Sequence, residues 1–563
     1  MQAIKEKIKK VTATPKGRII ALSILIFLAA TITGGIGYWN TYKKGIIKGK
    51  LESAIREKTN GLYKIKYDSL EMDEISGYLS VSNMHLAYDS NRYNEFDRLG
   101  KAPSILFDIQ IPHIIATGVK TPRALIENEI VGGKLEINNP VIRIIYTNSG
   151  MDSSKVLPPK EVYEQILGNL DLIQADTVLI TGAQIITGNL RTKDTITQIQ
   201  DVSVTMMDVK VDSTSSTDTT RLLFAKKIEI LCSKLAWPSA NGLYTYSADS
   251  LSISSPSQYL HIKSFRIVPA LNENAFANAL PIQDDRFDFL ISDIQMKNIN
   301  MPQLFEQNIV ADSILISSAT FKIYRDLARP RDKKNRVGTY PQQVIQKLPV
   351  GFNIRKIIVA NSFLEYKERS RITRKSGKVQ YYNTYTSISN FTNDTNAIAA
   401  NNVMRVDMST RFLNKTPVKL TWLFYLLDPK GRFDVNGTCG AIDATALNPL
   451  TEPMGPAHIK RGHISGVSFN MHGYDYGMDG AVKMLYEDIH VTVLEKEKGS
   501  TELDERALKS FIANIMIKNS NPKKNEEPRV AQVHLDRDQN HSIFYLFWKT
   551  ILKGLKETVG LKE

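Results

Sequence analysis

Apolar and polar residues alternate along much of this chain, and the alternation breaks in the same way in two separate stretches. One stretch, GLYKIKYDSLEMDEISGYLSVSNMHL, begins at Gly61; the other, GLYTYSADSLSISSPSQYLHIKSFRI, begins at Gly242. Asp68-Ser69-Leu70 matches Asp249-Ser250-Leu251, and Tyr78-Leu79 matches Tyr259-Leu260. Leu79 and Val81 lie on one side of an extended chain, as do Leu260 and Ile262. Such alternation predicts β-strands with one apolar face. Then the phase slips: Leu79/Val81 is followed by Met84/Leu86, and Leu260/Ile262 by Phe265/Ile267. A step of three inside a period of two requires a bulge or a tight corner.

The correspondence continues. Asp108-Ile109-Gln110 matches Asp293-Ile294-Gln295, KLEINNPVIRII (134–145) parallels SILISSATFKIY (313–324), and the offset stays nearly constant. Residues 61–241 and 242–420 are therefore read as tandem copies of one β-unit. Within each copy a smaller theme recurs at 135–144, 178–186, 314–323 and 357–366: apolar-x-apolar, a few small or polar residues, apolar-x-apolar. Read as stacked hairpins, it predicts an elongated, repetitive, mainly β sheet. Pro159 and Pro341 each read as a helix start. Residues 421–500 form a further β-region that is not a copy. Residues 501–563 form a helical region, with a helix over 501–515, a polar loop over 519–529 and an amphipathic helix at the end. In that last helix Phe544, Phe547, Ile551, Leu555 and Val559 recur at helical spacing beside Trp548, with Lys549, Lys553 and Lys556 on other sides. Its apolar side suits a membrane surface, a partner's groove or the chain's own sheet.

At the other end, Ile19–Ile36 is an uncharged, largely apolar run closed by Tyr38 and Trp39. Such a run just spans a bilayer core. It predicts a cytoplasmic tail over 1–18, one transmembrane helix over 19–39 and a helical linker over 40–60. A cleaved signal peptide would usually have a shorter apolar region and a clearer small-x-small site than Ala29-Ala30-Thr31. Lys and Arg are balanced on the two sides of the span, so orientation rests on the tendency of long domains after a first helix to be translocated.

The chain carries a net charge of +14 with pI near 9.3. Its basic residues are scattered, without an Arg-rich helix or an aromatic-interleaved basic run, which reads as a solvated surface and not as a nucleic-acid site. The two cysteines, Cys232 and Cys439, exclude a disulfide scaffold. No GxSxG, GxxxxGK[ST], GxGxxG or HExxH motif occurs. His458, His463 and His472, with Cys439 upstream, are the one cluster that invites a metal reading, and their spacing on strands does not suit it. No catalytic residue, metal ligand or cofactor is assigned. The apolar faces must still be covered, by a second sheet in closed sandwiches or by acyl chains in an open trough.

The chain resembles the AsmA/TamB-like proteins of diderm bacteria, in the AsmA-like form common in Bacteroidota. The residues that carry the resemblance are Gly61-Leu62-Tyr63 with Asp68-Ser69-Leu70, then Gly77 to Leu86, soon after a single span. Asp443 to Leu450, Phe544 to Lys549 and Gly554 to Gly560 carry it further. The resemblance implies a curled β-groove of the bridge-like lipid-transfer type. It also implies a single-pass inner-membrane protein with most of its chain in the periplasm. Its partners would be phospholipids, together with outer-membrane or envelope proteins at the C-terminal end, in outer-membrane lipid homeostasis and assembly. A scaffold that binds envelope proteins without carrying lipid is the other reading. In a groove, the matched apolar residues Leu79, Val81, Leu135, Ile137, Leu260, Ile262, Leu315, Ile357 and Val359 would face acyl chains. Phe544, Phe547, Trp548, Ile551 and Leu555 would meet a membrane or a partner.

Overall fold

A computed structural model describes residues 55–561 apart from 57–58, 74, 121–128, 148–170, 192–194, 216–217, 219, 372, 455–456, 494–517 and 524. The expected tail, the span at 19–39, most of the linker, the helix start at Pro159 and the helix over 501–515 lie outside these residues. Among the described residues no helix is long and apolar enough to cross a membrane.

The protein is mainly β and divides into two compact units, one ending at Lys263 and one beginning at Ser264. The first contains β1 (Tyr63–Lys66), β2 (Ser69–Asp73), β3 (Tyr78–Tyr88), β4 (Ile105–Thr117), β5 (Glu129–Asn138), β6 (Val141–Tyr146), β7 (Leu172–Asn189), β8 (Thr195–Asp212), β9 (Ala225–Pro238) and β10 (Tyr244–Ser254). β1 and β2 pair in line with β3, which pairs with β4. β5 and β6 both pair with β4 and both run parallel to β7. β8, β9 and β10 follow by antiparallel pairing. Because β10 is hydrogen-bonded to β9, the first unit extends past the repeat boundary at 241/242, and the unit boundary falls inside β11 (Tyr259–Pro269).

The second unit continues with β12 (Arg286–Lys297), β13 (Asn308–Asp326), β14 (Gly351–Arg369), β15 (Ser376–Thr392), β16 (Val403–Phe412), β17 (Thr416–Tyr425), β18 (Phe433–Cys439), β19 (Ile442–Asp443), β20 (Ala457–Tyr474), β21 (Gly477–Val493) and β22 (Val530–Asp536). Pairing runs from β12 to β18 in chain order, then to β20, β21 and β22. Every step is antiparallel except β13 to β14. This parallel step repeats that of β5/β6 to β7: Glu129 faces Leu172 in the first copy, and Asn308 faces Gly351 at the same offset in the second. Helix α1 (Ser90–Arg98) sits between β3 and β4. Its counterpart α2 (Glu273–Asn278) sits between β11 and β12.

The recurring theme is not a hairpin. At 178–186, 314–323 and 357–366 it is one long strand, β7, β13 or β14, and at 135–144 it is β5 and β6 running in line. The small residues mark a crease. Asn83, Asn139, Gly182, Asp201 and Ser250 have φ of 50, 51, 63, 53 and 50°, and in the second unit Asp293, Asn361 and Asn383 have 55, 43 and 50°. Neighbouring strands cross the crease side by side. The registers place Asn139 beside Gly182, Asp201 opposite Ser233, Ser233 opposite Ser250, and Asp293 opposite Ser317.

A left-handed residue lets both arms of a strand present apolar side chains to the same side. On β3, Leu79, Val81, Met84 and Leu86 are all buried, on either side of Asn83. Without the slip, Met84 and Leu86 would turn to the polar face, losing about 3–6 kcal/mol of burial. A left-handed non-glycine residue costs about 1–2 kcal/mol, and Asn and Asp bear it best. Burial therefore wins. Polar contacts hold the crease: Asn83 Nδ2 donates to Asp68 Oδ2 at 2.7 Å and Ser233 Oγ to Asp201 Oδ2 at 2.5 Å.

Gly182 tests this corner, because a Cβ there would overlap the carboxamide of Asn139, between β5 and β6. Gly182→Val is expected to cost about 2–4 kcal/mol from combined strain and crowding, measured as a lowered urea midpoint, while Gly242→Ala, with open space around its Cβ, costs about 1–2 kcal/mol.

Candidate functional site

In the first unit the apolar face closes on itself. Leu79, Val81, Ile109, Ile114, Ile137, Ile144, Val178 and Ile180 belong to one buried cluster that spans both arms of the crease. At the equivalent positions of the second copy the second unit is more open. Ile137 and Ile144 are 0% exposed, whereas Ile316 and Ile323 are partly exposed. Ile142, Val178 and Ile180 are buried, whereas Phe321, Ile357 and Val359 are partly exposed.

Strand registers assemble these residues into rows across β12–β16. Phe287, Ile323 and Tyr366 form one row, and Phe289, Phe321, Leu364, Tyr381 and Phe412 the next. Beyond the crease, Ile294, Ile316, Val359, Thr386 and Met408 form a third, and Met296, Ile314, Ile357, Ile388 and Val406 a fourth. Phe289 meets Phe321 edge-on at 5.1 Å between centroids. The rows end in charge on both sides. At one rim Arg325 donates to Asp285 at 2.7 and 2.5 Å, and Tyr366 Oη donates to Glu368 Oε2 at 2.7 Å. Burial pushes the Glu368 carboxyl and the Tyr366 hydroxyl upward, while Arg325 and Lys549 pull Glu368 the other way. At the other rim Asn298 donates to Asp312 at 2.8 Å, and Arg355 lies 3.4 Å from it.

Further along this face the second unit is covered by its own terminal helix. Helices α3 (Met301–Phe305), α4 (Pro341–Ile345), α5 (Thr395–Ala400) and α6 (Asn448–Met454) precede α7 (Ile543–Thr558). The helix start expected at Pro341 is α4, where Tyr340 N donates to Gln343 Oε1 at 3.0 Å and Gln343 N to Tyr340 O at 2.9 Å. Helix α7 buries Ile543, Leu546, Ile551 and Gly554. Phe547 packs 5.0 Å from Trp422 and 5.6 Å from Phe469, and a Cβ on Gly554 would overlap Val482. Of the contact residues expected on this helix, Ile551, Phe547 and Leu555 therefore pack on the chain's own sheet. Phe544 and Trp548 stay outside, 67% and 48% exposed.

The expected groove residues separate into groups. Leu79, Val81 and Ile137 are buried in the closed first-unit core, with Leu135 packed against it. Leu260 is buried and Ile262 partly exposed on β11. Ile357 and Val359 stand beside Ile314 and Ile316 on the open face. Leu315 pairs with Gln295 and Ile358, which places it on the opposite face. Sequence reading missed Phe287, Phe289, Ile291 and Phe321. The signal was present: apolar residues at 287, 289 and 291, then 294 and 296, repeat the step of three around Asp293.

The histidines do not converge. His458 contacts Glu452 at 2.6 Å and His472 contacts Asp434 at 2.8 Å, and among the described residues no group of three or more potential ligands is placed to hold a metal ion. Cys232 and Cys439 are free thiols.

The loop between β13 and β14 also packs on the segment before α7. Arg336 N donates to Gln539 O at 2.7 Å and Arg336 Nε to Asn540 O at 3.1 Å. Arg537, buried, lies over the Tyr340 ring at 4.2 Å and bonds to Asp475. His541 stacks on Tyr545 at 3.6 Å. Burial, then Arg331, with Arg325 and Arg336 adding, pushes His541 down to about 4 against the pull of Asp538. No protein-family model matches the chain, and no curated protein matches it.

His541 makes stability depend on pH. Above its unfolded value of about 6.5 it is neutral in both states and contributes nothing. Between about 6.5 and about 4 the unfolded chain binds a proton that the folded one does not, so stability falls on acidification, by up to about 3 kcal/mol. His541→Phe keeps a stacked ring and removes the titration. Urea unfolding should show a smaller loss of stability between neutral and mildly acidic pH in this variant than in the parent.

Proposed function

We propose that this chain is a membrane-anchored periplasmic protein of the AsmA/TamB-like kind that holds phospholipid acyl chains on the creased apolar face of its second unit. The observation that supports the reading most directly is the set of apolar rows across β12–β16, bounded by charged rims, in which Ile294 and Ile314 are buried while Phe289, Ile316, Phe321, Ile357 and Val359 are partly exposed. An acyl chain laid on these rows loses its contact with water, worth about 0.8 kcal/mol per buried CH₂. Adjacent rows offer similar chemistry, so a chain passes from one to the next with little change in energy. The headgroup stays wet at a rim, where Arg325 with Asp285, or Arg355 with Asp312, provides polar contacts. The first unit, closed at the equivalent positions, serves as spacer and support. No step of this transfer requires a catalytic residue, and the setting is lipid homeostasis and assembly of the outer membrane.

Mass spectrometry of the purified full-length protein should find phospholipid. Ile316→Asp with Ile357→Asp should remove most of it while the unfolding midpoint changes little, since both sites are partly exposed. Leu315→Asp, on the opposite face, should leave the lipid in place. A well-folded parent without lipid, whose crosslinks capture only other proteins, would favour the scaffold reading instead.

A further inference from the structure

Two segments far apart in the sequence form one basic and aromatic patch on the second unit. The loop Arg331-Asp332-Lys333-Lys334-Asn335-Arg336 is fixed to the segment before α7. Besides the two Arg336 bonds, Asn335 Nδ2 donates to Gln539 Oε1 at 3.2 Å, and Arg331 lies 3.7 Å from Asp538. Arg331, Lys333 and Lys334 are exposed, and neither lysine has an ion-pair partner among the described residues. Directly after this segment the first turns of α7 carry Phe544 and Trp548, one helical turn apart and both exposed, with Lys549 next to them. Phe544 also touches Trp422, at 6.4 Å between centroids, so the exposed aromatic pair adjoins the apolar face that α7 covers.

We infer that this patch docks the second unit on an anionic phospholipid surface. Exposed Phe and Trp side chains suit the boundary between headgroups and acyl chains, where an apolar ring body and a polar tip are both accommodated. Unpaired lysines beside them suit anionic headgroups, and the attraction falls within a Debye length. The arrangement suits a surface: the charges sit on an exposed loop and the rings on an exposed helix turn. The patch adjoins the Arg325–Glu368 rim of the apolar rows but shares none of their residues, so vesicle capture and bound lipid are read separately.

The test uses the full-length chain held in phosphatidylcholine nanodiscs and offered free vesicles. Vesicles containing about one-third phosphatidylglycerol should be captured, vesicles of phosphatidylcholine alone should be captured about tenfold less, and raised salt should erase the difference. Lys333→Glu with Lys334→Glu should lower capture about tenfold. Phe544→Ser with Trp548→Ser should lower it several-fold, with the unfolding midpoint and the bound-lipid content of either variant unchanged. Equal capture of both vesicle types, or capture indifferent to both double variants, would overturn the inference. A parent that captures anionic vesicles, with both double variants impaired as expected, yet carries no bound lipid would count against the acyl-chain reading alone.

Discussion

This fold depends on a crease that crosses its long strands, set on several of them by a left-handed residue near the middle. A regular strand gives one apolar face and one polar face, and it offers no way to turn the sheet while keeping the apolar side continuous. Asn83, Gly182, Asp201, Asp293 and Asn361 supply the turn. Each advances the side-chain phase by one, and the registers bring these positions together across neighbouring strands. The local backbone cost is smaller than the burial recovered on the far arm. The preference for Asn, Asp and Gly at these points follows from that balance.

The same crease produces two different interiors. In the first unit both arms bury their side chains in one cluster. In the second, β13 and β14 leave Ile316, Phe321, Ile323, Ile357 and Val359 partly exposed, while α7 covers the face further along with Phe547, Ile551 and Leu555. The two units thus share the crease and the parallel step and differ in what fills them. A closed copy contributes rigidity. An open copy contributes an apolar surface with charged margins, which is what a bound acyl chain with a hydrated headgroup requires. The Arg537–Asp475–Tyr340 contacts tie the loop after β13 to the segment before α7 and so hold the helix end in place.

Much of this was legible in the sequence. The long repeat, the mainly β character and the slip after Val81 were all visible, because side-chain alternation is a local property. The theme at 357–366 was legible as a pattern but not as a topology: the same residues suit a hairpin or one kinked strand, and only pairing decides. The parallel step from β13 to β14 left no local signature, since it is set by a connection that returns to the same end of the sheet. Leu315 was misplaced because it lies next to two inward residues, Ile314 and Ile316, and a shift of one residue reverses the face. The helix from Ile543 was legible as amphipathic. Its buried side is centred on Leu546, Thr550 and Gly554, because the close approach of Gly554 to Val482 draws the helix down there. The openness of the second unit was not legible, because the same residue types fill closed and open faces.

The central claim is that acyl chains lie on the open rows of the second unit and not in the first. Photocrosslinking tests it most directly, with a light-activated residue placed at Phe321 or Val359 and, in parallel, at Ile142 or Ile180 of the full-length protein. The account predicts covalent phospholipid adducts at the second-unit positions and none at the first-unit ones. Equal labelling in both units, or no lipid adduct at Phe321 and Val359, would contradict it.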